Sequence, residues 1–128
     1  MTKLIVLATL TAAAICGVRT AGAEAPDQTT QWLYDSCESD DPAKIAACTS
    51  YLLGVADTMD IDEAEFRDVS LSASARTQLS VFAICGASYS GESLRQIFLG
   101  WAGKHPEQLS THRWSGAATA IRQAWPCN

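Results

Sequence analysis

Cysteine and histidine bring the most chemistry within reach of this chain, and their spacing decides which chemistry that is. Beyond residue 23 the cysteines are Cys37, Cys48, Cys85 and Cys127. A structural zinc site uses cysteines paired about two to four residues apart, and a dithiol redox centre needs C-x-x-C. Neither spacing occurs. Four cysteines behind an export leader read as two disulfides, with three connectivities open, and disulfides leave no thiol nucleophile. His105 precedes Pro106 in a turn between helices, and His112 stands at the start of a helix. Both read as turn or cap residues and not as general bases. "GASYSG" (86–91) lacks the G-x-S-x-G spacing of a nucleophile elbow. "DIDEAE" (60–65) lacks the turn glycine and the offset bidentate glutamate of a calcium loop. No glycine loop for phosphate is present. The expectation is a protein that is not an enzyme and holds neither metal nor cofactor.

The leader sets the compartment. "MTKLIVLATLTAAAICGVRTAGAEAP" has a basic start at Lys3, an apolar run from Leu4 to about Val18, and the small triplet Ala21-Gly22-Ala23. This is the pattern of a secretory signal, residues 1–23, cleaved between Ala23 and Glu24. The run is shorter than the roughly 20 residues that span a bilayer, and Arg19 closes it, so no stable membrane insertion is expected. Cleavage removes Lys3, Arg19 and Cys16. Residues 24–128 then form one domain with 7 basic and 14 acidic side chains, a formal charge of −7. So acidic a chain is not a partner for nucleic acid or an anionic lipid surface.

Four helices must position these groups. The first covers about Thr29–Glu38, with Asp27 as its N-cap. The second opens at Asp41-Pro42, a cap followed by proline at the first helical position. Its apolar Ile45, Cys48, Leu52, Val55 and Met59 recur at the spacing of one helix face. The third starts after Ser90-Gly91 and places Leu94, Ile97, Phe98 and Trp101 on a stripe. "KHPEQLS" breaks the chain, because the residue before a proline resists helix geometry. The fourth runs from about Thr111 to Ala124, with Trp114, Ala117, Ala118, Ile121 and Trp125 on one stripe and Pro126 as the stop. The last two helices share a short connection and should lie antiparallel. That brings Cys85 towards Cys127, while Cys37 and Cys48 flank the first turn. The map therefore favours Cys37–Cys48 and Cys85–Cys127 over the crossed pairings. The fold class is all-α: a small four-helix domain stapled by two disulfides.

Between the second helix and Cys85 the pattern weakens. Asp60, Asp62, Glu63, Glu65 and Asp68 face only Arg67 in opposition, and "LSASARTQLSVFAI" fits either a short helix or an extended arm. Gly54 within the second helix costs about 1 kcal/mol relative to alanine, which suggests close approach of another helix. Asp57 lies near the negative end of that helix, where a carboxylate is mildly unfavourable. It therefore bonds to the following loop or faces a partner. Tyr51 reads as a half-buried packing residue whose hydroxyl reaches a polar group.

Two stretches resemble a known family. In "CTSYLLGVAD" Cys48, Tyr51, Gly54 and Asp57 stand three apart. "SGESLRQIFLGWAGKHPEQLSTHRWSGAATAIRQAWPC" has His105-Pro106 after a helix and closes on Trp-Pro-Cys. Together with the leader and the four cysteines, they are similar to the Rap/Tai periplasmic immunity proteins of type VI secretion, over roughly Trp32 to Cys127. The residue after the third cysteine is Gly86, where the family usually has proline. The resemblance implies an all-helical, disulfide-bonded periplasmic domain, often a homodimer. Such a domain binds a peptidoglycan-cutting effector amidase and occludes its active site. The acidic residues Asp57, Asp60, Asp62, Glu63, Glu65 and Asp68 are the expected contact region. A small periplasmic stress-response or acid-chaperone-like protein is the alternative, since it too needs a stapled acidic helical domain.

Overall fold

The computed structural model describes residues 28–61, 66–67 and 70–127. The leader, its cleavage point at Ala23–Glu24, and Asp27 lie outside them, as do Asp62, Glu63, Glu65 and Asp68. Among the described residues there are five α-helices: α1 (Thr30–Glu38), α2 (Pro42–Met59), α3 (Ala73–Phe82), α4 (Gly91–Ala102) and α5 (Arg113–Ala124). The chain is all-α with two disulfides, and its described residues hold one helix more than the four read from the sequence. The extra helix is α3, which settles the ambiguous middle segment as helical. Ser72 caps it, its side chain accepting from the Ala75 N–H at 3.1 Å. Two-residue strands flank this region. β1 (Asp60–Ile61) pairs in parallel with β2 (Ile84–Cys85), a pairing with no signal in the sequence.

Helices α1, α2, α4 and α5 form the bundle, and each packs against the other three. Its core joins Leu33, Leu52, Val55, Leu94, Phe98 and Ile121, with Ile84 from β2 completing it. The spaced apolar residues of α2 fall on the buried face, with Ile45 only half-buried at its start. On α4, Leu94, Phe98 and Trp101 are buried and Ile97 is half-buried. On α5 the stripe is corrected at one end: Trp114 is 40% exposed, and the helix buries small residues instead.

The helix ends account for their own polar groups. Thr29, and not Asp27, caps α1, its hydroxyl accepting from the Trp32 N–H at 3.2 Å. The Thr30 and Gln31 N–H groups donate to the carbonyls of Thr111 and Leu109, both at 2.8 Å. In return the Arg113 N–H donates to the Gln28 carbonyl at 2.7 Å. A helix start leaves such donors orphaned, so the first turn of α1 and the approach to α5 satisfy each other. Thr30 is fully buried at this seam. Its hydroxyl bonds to the Thr111 carbonyl and hydroxyl, both at 3.1 Å, and to the His112 carbonyl at 3.2 Å.

Close approach of helices is made by glycines, though not by the expected one. A methyl group on Gly54 would meet open space, so no helix packs there. At Gly116 the same methyl would lie 2.5 Å from two side-chain atoms of Thr30, and at Gly91 it would lie 3.1 Å from Thr49. Gly116 lets α5 approach α1, and Gly91 lets α4 approach α2.

The structure pairs Cys37 with Cys48 and Cys85 with Cys127, the connectivity that the element map favours. The second bridge is set in a knot of chain. Cys85 lies in β2 and its N–H donates to the Trp125 carbonyl, while Ile84 bridges Pro126. Gly86 follows with φ +62°, alone among the described residues in the left-handed region. Proline is locked near −65°, so the turn after this cysteine cannot be the one a proline would make.

Candidate functional site

Two surface features meet at the end of α2. The first is an acidic edge. Asp57 lies exposed on the last turn, and Asp60 ends the helix and opens β1. Both carboxylates receive the same proton donor: the Tyr89 hydroxyl donates to Asp57 Oδ1 at 2.9 Å and, more weakly, to Asp60 Oδ2 at 3.4 Å. Among the described residues this hydroxyl is the donor that Asp57 receives. Its partner comes from the segment before α4. A charge-assisted bond of this kind offsets the unfavourable position at the helix C-terminus. Partial burial pushes the Tyr89 phenol well above its ordinary value, reinforced by the hydrogen bond to Asp57 and the negative charge of Asp60. The phenol thus stays a donor at neutral pH. The Tyr89 ring lies 5.9 Å from that of Trp125, so the C-terminal tryptophan braces the residue that gathers the two carboxylates.

The second feature is an apolar groove that sequence reasoning missed. It runs between α3 and α5 and encloses about 170 Å³. Met59 and Ala118 are buried in its lining, Val81, Phe82 and Trp114 rise from its sides, and Arg122 stands at its rim. Val81, Phe82 and Trp114 are the large hydrophobics that the described surface exposes, and all three line this groove. Helix α3 buries none of its residues. It is held instead by Leu79, half-buried against the small cluster of Phe66, Ala83 and Cys127. "LSVF" was the only available signal, and it does not show which way Val81 and Phe82 point.

The histidines are structural. A backbone carbonyl only accepts, so His105 Nδ1 donates to the Trp101 carbonyl at 2.8 Å, and its ring stacks on Trp101 with centroids 4.9 Å apart. His112 caps α5: its Nδ1 accepts from the Trp114 N–H at 3.2 Å. Tyr51 stacks on Arg113, whose guanidinium lies 4.8 Å from the Tyr51 ring centroid and 5.3 Å from that of Trp32. Such contacts stabilise by roughly 0.5–2 kcal/mol. Among the described residues no group of His, Cys, Asp and Glu comes together to hold a metal ion. Nor is any helix among them long and apolar enough to cross a membrane.

A rigid stapled bundle that presents an acidic edge beside an apolar groove defines a small binding domain. The family model of the Rap1a immunity proteins matches residues 29–127, and the chain belongs to that family. Its members are inhibitors rather than enzymes, and their partner is a protein effector. No curated protein and no solved structure matches the chain.

Proposed function

We propose that this protein is exported to the periplasm, where it protects the cell wall by binding a peptidoglycan amidase delivered through type VI secretion and occluding its active site. The observation that carries the reading is the span of the family match, which takes in every helix of the bundle and both disulfides. The leader pattern, with cleavage between Ala23 and Glu24, and the disulfides suit an oxidising compartment. Asp57 and Asp60 form the edge that meets the enzyme, and Asp62, Glu63, Glu65 and Asp68 continue the acidic contact stretch along the sequence. Clustered carboxylates speed encounter with a basic surface more than they set final affinity. A homodimer belongs to the same reading.

The test is a titration of the folded protein, beginning at Glu24, into peptidoglycan-hydrolysis assays with several candidate amidases. The expected result is stoichiometric loss of one enzyme's activity. If the protein neither binds nor slows any of them, the amidase assignment is lost.

A further inference from the structure

The α3–α5 groove gathers the three large hydrophobic side chains that the described surface exposes. Among the described residues its lining carries no aspartate or glutamate, although the chain as a whole has a net charge of −5. The one charge at its rim is Arg122, whose guanidinium donates to the Val81 carbonyl and pairs with no carboxylate among the described residues. An arginine without a counter-ion among the described residues, beside three exposed apolar side chains, describes its ligand: an apolar anchor next to a carboxylate. Buried apolar anchors in a pocket supply most of the energy of such contacts, and guanidinium recognises a carboxylate in a defined geometry.

We propose that this groove docks a segment of the protein effector in which an aliphatic or aromatic side chain adjoins an acidic group. The inference rests on the immunity reading. It assigns the effector a second contact, of opposite electrostatic sign to the acidic edge. A second copy of this chain is a poorer occupant. A two-fold contact sets the same patch against itself, here concave against concave and Arg122 towards Arg122.

The proposal is tested in two arms on the folded protein. The first selects peptides from a random library displayed on phage and measures their binding to wild type, Phe82→Ser and Arg122→Glu. Both positions lie on the surface of the groove, and unchanged melting temperatures verify folding. Peptides enriched on wild type should pair an apolar residue with Asp, Glu or a free C-terminus and should bind at least tenfold more weakly to either variant. Absence of enrichment, or enriched peptides indifferent to both substitutions, overturns the proposal. The second arm measures the affinity of whichever amidase the protein inhibits. An affinity equal for wild type and both variants removes the groove from the interface while leaving the immunity reading intact. Failure to find any inhibited amidase removes the reading, and the peptide arm still reports on the groove. Self-association of wild type in sedimentation, abolished by Phe82→Ser, would assign the groove to a second copy and overturn the proposal.

Discussion

Gly116→Ala is the sharpest test of how the bundle is assembled. On helix propensity alone the change should stabilise α5 by about 1 kcal/mol. The seam with α1 opposes it. The new methyl would sit 2.5 Å from both the γ-methyl and the hydroxyl oxygen of Thr30, closer than any real contact of that kind. Thr30 is fully buried and held at the approach to α5 by its hydroxyl bonds to Thr111 and His112, so it has nowhere to swing. Forcing one methyl into a packed site costs about 1–3 kcal/mol, and stranding a buried hydroxyl costs about 1–3 kcal/mol more. The net expectation is a destabilisation of roughly 1–5 kcal/mol after the propensity gain is subtracted. Urea unfolding followed by far-ultraviolet circular dichroism reads this as a lower midpoint with an unchanged slope. Thr30→Ala should rescue part of the loss, so the double mutant should be less destabilised than the two single changes together. A neutral or stabilising Gly116→Ala, or strict additivity with Thr30→Ala, would refute the close-approach argument.

Gly54→Ala should do the opposite and stabilise by up to about 1 kcal/mol, because its methyl meets open space; a lower melting temperature would contradict that placement. Replacing Cys85 and Cys127 together by serine should cost about 4 kcal/mol, against about 3 kcal/mol for Cys37 and Cys48, because the loop closed is longer, 42 residues against 11. Denaturant midpoints in the reverse order would show that strain or residual structure outweighs chain entropy. Tyr89 holds its proton more tightly when folded than when unfolded. Its contribution to stability is therefore complete below about pH 10 and lost as pH rises through the folded-state value. Tyr89→Phe should flatten that part of the alkaline decline in melting temperature, and an identical profile for the variant would argue against the bond to Asp57.

The bundle was legible because its signals are local. Asp41-Pro42, Ser90-Gly91 and the recurring apolar residues of α2 and α4 each act within one or two turns. The cysteine pairing followed from placing those helices end to end. What stayed hidden depends on residues far apart in the chain. Gly54 and Gly116 look alike in sequence, yet only Gly116 faces another helix, and nothing within either helix distinguishes them. Trp114 shares the period of the α5 stripe, but the buried face is filled by alanines and it falls on the edge. Asp57 was correctly read as needing a reason beyond its own helix, while its donor, Tyr89, lies 32 residues further on. For the acidic edge, only Asp57 and Asp60 have a described place, and the groove escaped because α3 has no buried face to give it a period.

The seam at Thr30 and the bridge at Cys127 also set an order of events. The Thr30 hydroxyl finds its carbonyl acceptors 81 and 82 residues later, and the second disulfide joins cysteines 42 residues apart. A polypeptide emerging N-terminus first therefore cannot complete the contacts of its first helix until the approach to α5 is free, nor close its second bridge until Cys127 is. A chain cut short anywhere before Cys127 lacks the residue that closes the second bridge, and its Cys85 is left a free thiol.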